Sequence, residues 1–141
     1  MGKSYSPGAS LRVWRDYFPN VSIVGVDIEP ELLFSETRIS TFLVDQRDRG
    51  SLLSLRSELG PTNFDFIVDD GLHDAQANLT FFEAMFELLS PRVYYAVEDI
   101  HLKDMPTLID YFRCGNFNLT VFSFQARKKN LFDNNLIIVQ K

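Results

Sequence analysis

The sequence predicts an α/β fold built on a doubly wound, mostly parallel sheet, and three observations lead there. Short apolar runs of strand length alternate with stretches of helical periodicity. Several of those runs end in acidic residues: Val21-Ser22-Ile23-Val24-Gly25-Val26 precedes Asp27, Phe66-Ile67-Val68 precedes Asp69-Asp70, and Val93-Tyr94-Tyr95-Ala96-Val97 precedes Glu98-Asp99. The last two predicted strands, 117–124 and 136–139, have no helix between them, so they form an antiparallel hairpin at the C-terminal edge.

The elements follow in order. Residues 2–10 are small and flexible, and Ser10 is a candidate N-cap for a helix over 11–18, which Pro19-Asn20 ends. The run 21–26 is a buried strand. Residues 29–34 form a short helix, and 39–44 a strand ending in Asp45-Gln46. The amphipathic stretch 51–59 is a helix stopped by Gly60-Pro61. The strand 64–68 leads through Gly71, which permits a sharp exit, into a longer helix over 74–89. Ser90-Pro91 turns into the strand 93–97, and a helix follows over 105–112. A polar hairpin around 128–130 joins the final strands. Trp14 and the phenylalanines are expected in the core.

With 141 residues and a hydrophobic fraction of 45%, residues 1–141 form one domain with enough apolar mass for a core. A net charge of -5 argues against nucleic-acid backbone binding. The single cysteine, Cys114, excludes an intrachain disulfide and a multi-cysteine metal site, which makes a reducing, cytoplasmic setting the default. No apolar run reaches membrane-spanning length, and the first residues carry no signal-peptide core. The three Asn-x-Ser/Thr matches at Asn20, Asn78 and Asn118 are then chance.

In open α/β sheets, ligands sit outside the carboxyl ends of the strands. Asp70, Glu98 and Asp99 sit at two such ends; ionised carboxylates in a small space need a cation, so they make a candidate hard-metal site. The bland reading is that they stand apart as caps and surface charges. His73, three residues past Asp70, carries an imidazole that can take a proton from a hydroxyl and is a candidate general base, or simply a helix-start histidine. His101 is a loop residue near the second doublet. Asp27 suits two ribose hydroxyls, or an N-cap. Asp45-Gln46 would read an adenine edge, or be a solvated turn. The small-residue run through Gly8 and Ser10 opens a helix and would bring backbone close to a cofactor, or is a loose tail.

Gly-Ala-Ser-Leu-x-x-Trp at 8–14, Gly-Val-Asp-Ile at 25–28, Asp-Gln at 45–46, Val-Asp-Asp-Gly-x-His at 68–73 and Val-Glu-Asp at 97–99 occur in this order over almost the whole chain. Together they resemble the macrolide sugar O-methyltransferases, the macrocin and mycinamicin enzymes, whose relatives include rhamnosyl O-methyltransferases and the cephalosporin hydroxylase group. The resemblance implies a class I, Rossmann-like fold, to which a C-terminal hairpin is typical. It implies S-adenosylmethionine held by Gly8, Ser10, Asp27 (ribose), Asp45 and Gln46 (adenine). It implies magnesium or another divalent cation on Asp70, Glu98 and Asp99, with His73 as general base. The expected partner is a small-molecule sugar or polyol acceptor, with no nucleic acid and no membrane.

Two departures from the family pattern stand out. Leu72 replaces a usual serine, and the chain starts at the Gly-rich loop, so the family's first strand is missing and the chain reads as truncated. A sheet without that strand exposes edges that favour association into a homo-oligomer. Two other functions stay open here: a non-catalytic remnant that binds a nucleoside or a partner chain, and a hydroxylase on the same scaffold.

Overall fold

The computed structural model describes residues 7–123 and 134–141. It divides into two compact units, one ending at Asp45 and one beginning at Gln46.

The first unit holds α1 (Ala9–Tyr17), β1 (Ile23–Asp27), β2 (Ser35–Glu36) and β3 (Ile39–Leu43). β1 and β3 pair in parallel from Ile23↔Ile39 to Asp27↔Leu43, and β2 adds antiparallel to β3. α1 lies against β1 and β3. Gly25 makes that seat possible: a Cβ there would lie 2.6 Å from Leu11 Cδ1 and 3.2 Å from Thr41 Cγ2. Three expectations change in this unit. Gly8, with φ 74°, caps α1, and Ser10 lies inside the helix. A left-handed cap is open to glycine at no Cβ cost, and that outweighs the serine hydroxyl. The short helix over 29–34 is a 3₁₀ turn, Pro30–Leu32, because Leu33 turns extended (ψ 143°) and feeds β2. Trp14 is 39% exposed and stacks on Phe18 at the end of α1, outside the core.

The second unit holds α2 (Arg49–Leu59), β4 (Phe64–Asp69), α3 (Ala75–Met85), β5 (Leu89–Val97), α4 (Met105–Cys114), β6 (Asn118–Ser123) and β7 (Asn135–Gln140). Strand order is β4-β5-β7-β6. β4 and β5 are parallel, with α3 as the crossover, and β7 pairs antiparallel with both β5 and β6. The terminal antiparallel pair is therefore present; its expected link at 128–130 lies outside the described residues. Both sheets are mixed, with a parallel pair in each.

Side chains alternate along β7, so Ile137 and Val139 are buried together with Tyr95 and Val97 of β5. Phe82 of α3 sits over this face, with ring centroids of Tyr95, Phe112 and Phe117 at 5.1, 4.8 and 5.2 Å in edge-to-face contact. That geometry suits the ring quadrupoles and makes this aromatic cluster the centre of the core. Leu52 and Leu55 bury the inner side of α2, which packs on α3.

One boundary moves substantially. The expected turn at Ser90-Pro91 lies inside β5, and α3 ends at Met85. The ladder shifts register between Phe64↔Leu89 and Phe66↔Tyr94, and Arg92 takes φ 67°. The proline is accommodated by a bulge, because it has no N–H to give the ladder. Among the described residues, no helix is long and apolar enough to cross a membrane.

Candidate functional site

The β4–β5 register builds the site. Asp69 pairs with Val97, and the Glu98 N–H donates to Asp69 O at 2.9 Å, one step beyond the ladder. Asp70 and the Glu98-Asp99 doublet therefore leave the carboxyl ends of neighbouring parallel strands side by side. His73 then arrives from the start of α3. Ligand atoms of Asp70, His73 and Asp99 all lie within 4.8 Å of one another, with His73 Nε2 3.6 Å from Asp70 Oδ1. Glu98 lies outside this tightest set, yet within electrostatic reach of both aspartates.

Charge at this corner is crowded. Burial, followed by the nearby Asp99, pushes the Asp70 carboxyl above its ordinary range, against the pull of His73. Burial, then Asp70 and Asp99, push Glu98 up as well. Like charges that resist ionising together are relieved by a cation. The carboxylate oxygens of this corner suit a hard divalent ion of the magnesium type. The residues present therefore fit the metal expected from the sequence. Two of them also hold left-handed backbone, His73 at φ 56° and Asp99 at φ 49°. Such conformations cost about 1–3 kcal/mol each and persist only where the surroundings fix them.

The surroundings are specific. Asp69, 3% exposed, accepts from Asn78 Nδ2 at 2.9 Å and Tyr95 OH at 3.3 Å on Oδ2, and from Gln46 Nε2 at 2.6 Å on Oδ1. Burial raises its pKa while these donors and the Gly71 N–H hold it down. The same burial, with Asp69 beside it, drives the Tyr95 hydroxyl well above its usual range. The loop after β5 is clamped by β7: Ile100 N–H donates to Asn135 O at 3.1 Å, and Asn135 Nδ2 donates to Ile100 O at 2.7 Å. A cavity of about 170 Å³ opens beside it, lined by Glu98, Asp99, Asn134, Asn135 and Leu136. His101 Nδ1 accepts from the Lys103 N–H at 3.2 Å. Sequence reasoning put Asp69 at the site's strand end without giving it this supporting role, and gave no site role to Asn78, Tyr95 or Asn135. An asparagine between Ala77 and Leu79 on a buried helix was the one visible signal.

The other expected site residues belong to the first unit. Asp27 ends β1, and its Oδ1 accepts from the Glu29 N–H at 2.9 Å, which fixes the carboxylate. The Val44 N–H donates to Asp27 O at 2.9 Å, so Asp45 follows directly on the β1–β3 ladder. Gly8 caps α1 with its α-carbon against the Phe34 ring, and Ser10 is exposed in the first turn.

The crowding makes a pH prediction. In cation-free protein, Asp70→Asn is expected to raise Tm at neutral pH, because it removes a charge that the folded state resists. A carboxyl raised in the folded state costs stability above that raised pKa and none below its unfolded value of about 3.9. The gain should therefore shrink as pH falls through the raised pKa. Thermal melts in chelator across this range check it; a lowered Tm at neutral pH contradicts it.

No family model matches the chain. It is 37% identical over 99 residues to the 8-demethyl-8-alpha-L-rhamnosyl tetracenomycin-C 2'-O-methyltransferase of Streptomyces olivaceus, covering 70% of this chain and 26% of that protein. It is 40% identical over 93 residues to the demethylmacrocin O-methyltransferase of Streptomyces fradiae, covering 66% of this chain and 23% of the relative. The mycinamicin VI 2''-O-methyltransferase of Micromonospora griseorubida matches at 38% over 93 residues, with the same two coverages of 66% and 23%. The chain is a homologue of the macrocin and mycinamicin sugar O-methyltransferases. It spans about a quarter of the length of these curated relatives, 23–26%.

Solved structures agree with this homology. A methyltransferase of the mycinamycin biosynthetic pathway, in complex with Mg, SAH and mycinamycin VI, superposes with a TM-score of 0.68 at 26% identity, over 99% of this chain and 42% of that one. An O-methyltransferase from Bacillus cereus in complex with SAH superposes with a TM-score of 0.61 at 14% identity, over 84% of this chain and 62% of that one, which shows a shared fold. The sugar O-methyltransferase homologue thus has the Rossmann-like α/β fold of the methyltransferases.

Proposed function

We propose that this chain is part of a metal-dependent methyltransferase that moves a methyl group from S-adenosylmethionine to a hydroxyl of a sugar or related polyol. The gathering of Asp70, His73 and Asp99 at neighbouring strand ends, within 4.8 Å, carries the reading. Relatives named as sugar O-methyltransferases, and a solved one holding Mg and SAH, support it.

In this reading Asp70, Asp99 and Glu98 hold the divalent cation. A cation bound there makes a sugar hydroxyl more acidic. His73 takes the hydroxyl proton at an imidazole nitrogen; Asp70, 3.6 Å away, favours the imidazolium that results. When bound, S-adenosylmethionine would supply an electrophilic methyl whose C–S bond breaks as the O–C bond forms, with S-adenosylhomocysteine leaving; the protein's main contribution would be alignment. Asp27 takes the ribose hydroxyls, with its carboxylate oriented by the Glu29 N–H. Asp45 and the Gly8–Ser10 backbone complete the cofactor contacts. The three-residue cluster holds one histidine, short of the two that non-haem iron oxygenases use with a carboxylate.

Calorimetric titration with S-adenosylhomocysteine, with and without magnesium, tests the reading. Binding in the micromolar range, about -8 kcal/mol, is expected, followed by methyl transfer in a screen of polyol acceptors. A folded chain that binds neither nucleoside nor magnesium overturns it.

A further inference from the structure

We propose that Gln46 is a positioning residue that brackets the 69–73 loop and so sets the cation and proton-transfer groups. The inference rests on the cation site proposed above and changes the role expected for Gln46. One carboxamide joins both ends of a short loop. Its Nε2 donates to Asp69 Oδ1 at 2.6 Å, and its Oε1 accepts from the Leu72 N–H at 3.0 Å. Asp69 is itself fixed from the other side by Asn78 of α3 and Tyr95 of β5. Asp70 and Gly71 lie between the two anchored points, and His73 follows the second.

Three details support bracketing. The Asp69 carboxylate is buried, so its donors are costly to lose. Gly71 has no positive φ, yet a Cβ there would run into Gln46 Oε1; the glycine makes room for this amide. His73 at φ 56° needs external constraint to hold that backbone. A glutamine whose oxygen and one N–H are committed in this way has its carboxamide plane set by the loop. Outer partners of this kind typically change metal affinity about 10–100-fold.

The test uses the full chain with Gln46→Ala and, independently, Gly71→Ala, which crowds the same amide from the other side. Circular dichroism confirms folding. Three readouts are compared with the unmodified chain: Mn2+ affinity, S-adenosylhomocysteine affinity, and hydrogen exchange at the Leu72 amide. Both variants are expected to weaken Mn2+ binding about 10–100-fold, to speed Leu72 exchange, and to leave nucleoside affinity nearly unchanged. A tenfold or greater loss of nucleoside affinity with Mn2+ binding intact overturns the proposal and makes Gln46 an adenine contact. If the unmodified chain takes up no Mn2+, the cation reading fails. Leu72 exchange then decides the bracket by itself, since unchanged protection in both variants overturns it.

Discussion

His73→Ala is expected to slow methyl transfer roughly 10²–10⁴-fold, the range for loss of a general base. Mn2+ and S-adenosylhomocysteine affinities should stay nearly unchanged, because a magnesium-type site is satisfied by carboxylate oxygens and does not require an imidazole. His73 lies 3.6 Å from the Asp70 carboxylate. Its φ of 56° is a conformation that histidine enters more often than most side chains but still at a cost. His73→Gly removes that cost of about 1–3 kcal/mol, offset by roughly 0.5–1 kcal/mol of extra backbone entropy that glycine loses on folding. It is therefore expected to raise Tm by a few degrees while losing transfer as fully as the alanine variant. Stability gained where activity is lost is the pattern of a residue kept for chemistry. Steady-state methylation beside thermal melts reads both arms. A loss of Mn2+ binding in His73→Ala would make His73 a ligand and remove the base role.

The strand ends were legible because buried parallel strands are written as nearly continuous apolar runs, and an acid can follow only where the run leaves the core. That logic placed Asp27, Asp70 and Glu98-Asp99 from sequence. It did not give the Asp69↔Val97 register that sets two of those ends side by side, since pairing between strands leaves no local mark. Nor did it distinguish Asp69 from Asp70, though one is buried under three side-chain donors and the other faces the cluster. Successive residues along a strand point to opposite faces, so the doublet divides by parity: Asp69 inward to its three donors, Asp70 outward to the cluster. The Ser90-Pro91 breaker falls inside β5, where a bulge in the β4–β5 ladder absorbs it. Ser10 lost the cap to Gly8 because backbone geometry outweighs a single hydroxyl hydrogen bond.

Asp99→Asn is expected to lower Mn2+ affinity by at least about 100-fold, beyond what outer partners cost, and to end transfer. Glu98→Gln is expected to cost less, about tenfold on the same scale. The difference follows from how each carboxylate is held. Asp99 has a short side chain on backbone fixed at φ 49°, next to Ile100, which Asn135 grips at both its N–H and its carbonyl. Its oxygen already lies within the 4.8 Å set. Glu98 reaches the cluster on a longer, freer side chain and must lose rotamer entropy on binding. Isosteric amides keep shape and remove charge, so they isolate the electrostatic part. In chelator, Glu98→Gln should also raise Tm at neutral pH, because burial together with Asp70 and Asp99 resists ionisation of Glu98 in the folded chain. A substitution that weakens cation binding yet stabilises the cation-free fold separates a metal site from a pair of solvated surface acids, which would show neither effect. Mn2+ affinities equal to the unmodified chain in both variants would return these residues to surface charge and leave the cluster without a function.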